Sequence, residues 1–332
     1  MKNSILSNTK ANCFSIAAVA ALTTTIASAC LAQHSHNHGH GHTAHKATPA
    51  HVEVPSTLPD ARPIPFAVLK KGATRAHCFP VERLSKEKRQ RAEELLLRIC
   101  DSEALYTLVG AVKPMSTDWL IEDFDFKQPG AVRLDEVREI LSVLYCGDEI
   151  SAHMLRFSHV HNGKLRFKAA LFNRVALAEE INRHASFWQA RAITPNTEPV
   201  EVLLNNEDER TDRFERVRAY GYLAGYPEEA VHTYLDIIKK KFADPEHKPI
   251  PVDYVRIPTY AKNVYGFVYS VPKGHQLTQA DRDLIAKCAP ILEEYKKRRA
   301  KYIGEGKAGI VALLRDWFHD GKGNYSPRFA RY

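Results

Sequence analysis

The densest chemistry in the chain lies near its start. Residues 34–45 read His-Ser-His-Asn-His-Gly-His-Gly-His-Thr-Ala-His, which places His34, His36, His38, His40, His42 and His45 within one short stretch, with His51 following. Seven of the 16 histidines of the chain fall here, so the segment reads as a ligand array and not as scattered residues. Neutral imidazole suits Zn, Cu and Ni. The residues between the histidines are small and polar, so the segment has nothing to bury and is not expected to fold alone. A flexible chain with an imidazole at every second position can bend several of them around one ion, and Gly39 and Gly41 ease the bending. Protons compete for the same lone pairs, so affinity should rise through the imidazole pKa of about 6.5. Such an array cannot select its metal by geometry. The chemistry expected of it is that of a buffer, a scavenger or a delivery arm, with transition-metal ions as the partner. The plain alternative is a solvated linker that binds metal incidentally. Pro49, Pro55, Pro59, Pro63 and Pro65 then hold the chain extended, and the folded body is placed from Phe66 onward, with no cofactor expected there.

Four constellations in that body could carry chemistry, each with a plainer reading. His159-Val-His161 would put two imidazoles on one face of a strand, a metal-ligand spacing, but Lys164 and Arg166 beside them disfavour a divalent ion. Glu229-Ala-Val-His232 has the Glu-x-x-His spacing of di-iron bundles, which need two copies and two further glutamates; one copy is present. Glu180 and His184, four apart, could join it in space or form an i, i+4 surface pair. In His77-Cys78 a thiol sits beside a base, and Asp118, Glu122, Asp123 and Asp125 could gather a hard cation, although the run lacks the glycine of a calcium loop. There is no Gly-x-Ser-x-Gly, no phosphate loop of the Walker type and no His-Glu-x-x-His. The basic runs Lys239–Lys241 and 296–301 fall at helix ends, where the dipole explains them without nucleic acid.

The elements that must position these groups are legible in outline. Residues 84–100 form an amphipathic helix with Ser85 as its cap, and residues 132–146 form another. Residues 104–112 are strand-like in composition, and residues 119–126 read as a loop. Asn162-Gly163 is the preferred two-residue hairpin turn, so the strands at 151–172 pair His161 with Lys164, Val160 with Leu165, Ser158 with Phe167 and Met154 with Leu171. That register turns a mostly apolar face inward; the opposite face, carrying Lys164, Arg166 and Lys168, is cationic at the turn end and looks outward. Helices follow at 175–190, 208–224 and 227–242, the last two joined by a tight corner at Gly225-Tyr226-Pro227. Strands are expected at 252–257 and 264–271, and helices at 278–302 and 309–319. Irregular alternation around a hairpin indicates an α+β fold, a central antiparallel sheet packed by several helices, and residues 66–332 are taken as one such domain.

The first 29 residues read as a secretory signal peptide: Lys2 and Lys10, an apolar run from Ile16 to Leu22, and Ala27-Ser28-Ala29 before the cut. The run is too short for a membrane span, which needs about 20 apolar residues. Cleavage after Ala29 would expose Cys30, a position open to lipidation although Ala27 stands where a lipobox has leucine; a cut after Ala32 would discard it. Removal of the leader lowers the net charge from +8 to +6, because it takes two lysines and no acids. That mild basicity suits an anionic envelope component as a further partner. Beyond position 30, Cys78, Cys100, Cys146 and Cys288 form no Cys-x-x-Cys, and both bridges and buried thiols are open to them in an exported protein.

The stretch Ala104-Leu-Tyr-Thr-Leu-Val-Gly-Ala-Val-Lys-Pro-Met115, with the Gly-Tyr-Pro corner at 225–227, resembles segments of uncharacterised exported bacterial proteins. The resemblance implies a bacterial source and no activity. Three readings of function follow. The first is a non-enzymatic exported protein that binds or buffers transition metal through its tail. The second is an envelope enzyme whose site lies in the body. The third is an interaction module with an incidental tail.

Overall fold

The computed structural model describes residues 74–332 except 126, 129–133, 162, 209, 245, 247, 263–265, 321–324 and 326–332, and, for residues 157–161, the backbone alone. Two 3₁₀ turns, Arg75–His77 and Val81–Arg83, lead into helix α1, Lys86–Asp101. Ser85 caps α1 by accepting from the Lys88 amide, as the sequence indicated. A single helical turn, α2 (Leu105–Leu108), precedes strands β1 (Met115–Ser116) and β2 (Ile121–Phe124) and helix α3 (Leu134–Leu141). The long hairpin β3 (Ile150–His161) and β4 (Lys164–Asn173) forms the centre. Helices α4 (Arg174–Arg183), α5 (Ala185–Gln189), α6 (Pro199–Glu207), α7 (Arg213–Leu223) and α8 (Glu228–Ala243) follow. A two-stranded ribbon, β5 (Val252–Ile257) and β6 (Phe267–Pro272), then leads to α9 (Gln279–Tyr302) and α10 (Gly309–Phe318). The architecture is α+β, with antiparallel sheets packed by helices.

Strand β4 is the axis of the larger sheet. It pairs with β3 along one edge and with both β1 and β2 along the other, all antiparallel. Side chains alternate across a strand, so its two faces feed two cores. Ala169 and Leu171, with Ile150 and Ala152 opposite, join the core built by α1, α2, α3, α9 and α10. Ala170 and Phe172, with Leu155 and Met115, join the core built by α4 to α8 around Trp188, Tyr222 and Leu235. The β5–β6 ribbon packs Val255, Tyr269 and Val271 on Ala230 of α8.

Four expectations are corrected. The hairpin keeps the expected pairs His161–Lys164 and Val160–Leu165, but an irregularity between Arg156 and Val160 shifts the rest. Phe167 therefore faces Arg156 and Leu171 faces Ala152. The shift is by two residues, so each strand residue keeps its face. The face expected to be cationic at the turn end and to look outward is exposed only at that end, at Lys164; farther along, Lys168 is buried against Asp118, at 2.5 Å, and Ala170 and Phe172 are buried too. Residues 121–124, expected as loop, form β2, because their backbone completes the free edge of β4. Residues 104–112, expected as a strand, curl into α2 and a turn in which the amides of Val112 and Lys113 both donate to the Tyr106 carbonyl. Gly110 permits that turn: its φ is +89°, and a Cβ there would stand 2.3 Å from Ile291 Cδ1. The Gly225 corner holds as expected, with φ +72° and its amide donating to the Tyr222 carbonyl.

Cys78 and Cys146 form a disulfide, while Cys100 and Cys288 are free and buried. The bridge pins the start of the described chain beside the entry to β3, where the Phe79 amide donates to the Tyr145 carbonyl. Arg315 of α10 clamps the same segment, donating to the carbonyls of Cys78 and Phe79 and to the Glu82 carboxylate. The bridge spans 68 residues of sequence, a loop whose closure in the unfolded chain is worth about 4 kcal/mol. Replacing both cysteines by serine should lower the unfolding free energy by about 2–5 kcal/mol in a denaturant titration. Stability unchanged by the double substitution would show that the bridge contributes nothing to this packing.

Candidate functional site

The six tail histidines His34, His36, His38, His40, His42 and His45, and Cys30, lie outside the described residues. The body must therefore be judged on its own groups. Cys78 is in the disulfide, so the His77-Cys78 pair offers no thiolate. Glu229 and His232 diverge: Glu229 Oε1 stands 3.7 Å from His275 Nδ1, while His232 Nε2 stands 3.8 Å from Glu228 Oε1. Glu180 and His184 do pair, at 3.1 Å, but not on the surface. Glu180 is buried, and the His184 ring stacks on Tyr222 with centroids 3.8 Å apart. The acidic run is dispersed because each carboxylate meets a different donor. Asp118 holds Lys168, Glu122 holds Arg91, Asp123 takes a two-point contact from Arg166, and Asp125 accepts from the Lys127 amide. The backbone of His159 and His161 lies in β3, with His161 opposite Lys164. Among the described residues, no three or more His, Cys, Asp or Glu side chains are grouped to hold a metal ion.

What the fold does bring together is a buried polar chain at the end of β4. Asn173 ends the strand, and its side-chain oxygen caps α4 by accepting from the amides of Val175 and Ala176, at 3.1 and 3.0 Å. Its amide nitrogen donates to the Thr107 carbonyl at 3.1 Å and to Glu149 Oε1 at 3.4 Å. The Thr107 and Ser116 hydroxyls lie 2.8 Å apart, and Ser116 donates to Glu103 Oε2 at 2.9 Å. Glu103 also pairs with Lys113, whose ammonium stands 4.5 Å from the centre of the Phe267 ring. All six polar residues are buried. Burial pushes the Glu149 carboxyl up to about 7, against a smaller opposing effect of the Asn173 bond. Its raised pKa makes Glu149 a proton holder near neutrality, the kind of group found at functional sites and also in structural networks. Every member has its partner and none is open to solvent, so here the network fixes the junction of α2, β1, β3, β4 and α4.

A second array ties the ribbon to the helices. Asp281 accepts from the Tyr269 hydroxyl at 2.5 Å, from the Thr278 amide and hydroxyl at 2.8 and 2.7 Å, and faces His275 Nε2 at 2.8 Å. Burial works against the charged carboxylate, but the bonds from Tyr269, His275 and Thr278 prevail and hold it at about 2. Both ring nitrogens of His275 face carboxylates, Asp281 and Glu229, so neither is placed to serve as a base toward a substrate. The array is the N-terminal capping box of α9 extended to β6 and α8.

Sequence reasoning did not single out either array, since the first draws on residues from 103 to 173. The Asn173 cap and the Thr278–Asp281 box had visible local signatures; their long-range partners did not. A Gly-x-Gly-x-x-Gly string at Gly304-Glu305-Gly306-Lys307-Ala308-Gly309 also went unmarked. It joins α9 to α10, helix to helix, and not strand to helix as dinucleotide binding requires. The comparisons with known proteins point to no relative: no family model, no curated protein and no solved structure matches the chain.

The Glu149 carboxyl sets a pH dependence. Its folded pKa lies above its unfolded value of 4.5. Its contribution is therefore fully present below about 4.5 and is lost as the pH rises through about 7. The loss amounts to about 3 kcal/mol at most. Glu149→Gln keeps the acceptor for Asn173 and removes the titration. Urea unfolding from acid to neutral pH should show the wild type losing stability relative to this variant. Parallel pH profiles would mean that Glu149 ionises normally.

Proposed function

We propose that this is an exported protein that binds transition metal through its N-terminal histidines. The observation that carries the reading is the spacing of His34, His36, His38, His40, His42 and His45, an imidazole at nearly every second position among residues with no packing role. Export is supported by the leader-like residues 1–29 and by the disulfide between Cys78 and Cys146, a bond that persists in oxidising compartments. On this reading the metal is cargo, and Zn, Cu or Ni would each suit the ligands. The disulfide-bonded body serves as the scaffold that carries the tail. No reaction is assigned to it, because its ionisable arrays are buried and mutually satisfied.

A zinc competition titration tests this on the full chain and on a variant with all six histidines changed to alanine. The full chain should bind, and the variant should lose that binding. Affinity of the full chain should fall about a hundredfold or more between roughly pH 7.5 and 5.5, as protons displace the metal from two or more imidazoles. Equal binding by the two chains would remove the tail from the account.

A further inference from the structure

Arg213 stands where helix electrostatics disfavour a cation. It is the first residue of α7, at the positive end of the helix dipole. Lys239, Lys240 and Lys241 are different, since they fall in the last turns of α8, where the dipole favours them. The two helices bring Arg213 and Lys239 to the same pair of rings. The Arg213 guanidinium lies 4.4 Å from the centre of the Phe242 ring, and the Lys239 ammonium 5.8 Å from that of Phe214. The two rings meet edge to face with centroids 6.1 Å apart. Both rings are half-buried, and all three lysines are exposed.

The neighbouring acids do not neutralise the pair. Asp212 is engaged in capping α7, accepting from the amides of Phe214 and Glu215 at 2.8 and 3.1 Å. Glu215 faces Arg191 and Arg218, and Asp208 holds Arg210. Asp236 lies one turn before Lys239 on α8, at a spacing that could pair with it, but forms no ion pair with it; Asp244 lies just beyond Ala243. Among the described residues, neither Arg213 nor Lys239 has a carboxylate within ion-pair distance. A guanidinium stacked on a ring is pre-organised and keeps its in-plane donors for an anion.

We infer that this α7–α8 face docks the chain on an anionic phospholipid surface, with Arg213 and Lys239 meeting headgroup phosphates beside Phe214 and Phe242. The cations give the charge complementarity. The half-buried rings give the apolar contact that a headgroup boundary uses and a soluble anion does not. The inference rests on the exported location proposed above but not on the metal.

Co-sedimentation of the full chain with vesicles tests it, in EDTA so that tail-bound metal plays no part, and at about 0.1 M salt, where the screening length is about 10 Å. Phosphatidylglycerol vesicles should retain the protein and phosphatidylcholine vesicles should not. Joint Arg213→Gln and Lys239→Gln should weaken retention roughly tenfold or more. Lys297→Gln, at an exposed position of α9, should leave it unchanged, and Arg213→Lys, which keeps the charge, should retain most of it. Equal binding to both lipids, or full binding by the double variant, overturns the inference. So does a loss with Arg213→Lys as large as with the neutral variant, since that would mark a folding effect. Inorganic polyphosphate binding the same residues as tightly as the vesicles would also overturn it, in favour of a soluble polyanion. Because metal is absent throughout, none of these outcomes depends on whether the histidine array binds zinc.

Discussion

Strand β4 is covered on both faces and paired on both edges, and that constraint organises the rest of the body. A strand in this position cannot leave a polar group unpartnered without a cost of about 1–3 kcal/mol. Two of its residues nonetheless carry polar side chains into the interior. Lys168 is met by Asp118 from the segment before β2. Asn173 is met by the start of α4, by the Thr107 carbonyl and by Glu149. The turn after α2, the short strand β1 and the entry to β3 all lie where these partners require. Truncating Asp118 would leave the buried Lys168 ammonium unpaired, and an uncompensated buried charge costs about 3–5 kcal/mol.

The parts of this arrangement that were legible in the sequence are those set by local physics. Asn162-Gly163 fixed the hairpin turn, Ser85 and Thr278 marked helix starts, and Gly225 marked the corner before α8. Residues 252–257 matched β5 in full. Local rules failed where long-range contacts decide. Residues 104–112 have β-type composition, yet they curl because Gly110 must pass Ile291 of α9. Helix α6 was missed although Pro199 stands at its first position, a recognised start signal. The bulge in β3 was not visible, since only the turn-proximal pairs follow from turn chemistry. The buried network around Asn173 draws six residues from four separated stretches of chain, and no spacing rule would have joined those stretches.

Chemistry and fold are therefore separated along this chain. The histidines proposed as metal ligands are concentrated before the body, among small polar residues. The buried ionisable groups Glu103, Lys113, Glu149 and Asp281 are drawn into satisfied networks at Asn173 and at the start of α9. The bridge between Cys78 and Cys146 and the Arg315 clamp fasten the chain at the point where the described body begins. The proposed scaffold, holding a metal-binding arm at an anionic surface, would account for the tail, the bridge and the α7–α8 cations together.

The central claim is that metal is held by the histidine array and by nothing in the body. Zinc-edge X-ray absorption on the zinc-loaded full chain tests it most directly. The account expects imidazole nitrogen at about 2.0 Å, no sulfur at about 2.3 Å, and loss of that signal when the six histidines are replaced. A shell containing sulfur would bring in a ligand outside the histidine array, and a spectrum unchanged by those replacements would place the metal in the body; either result would contradict it.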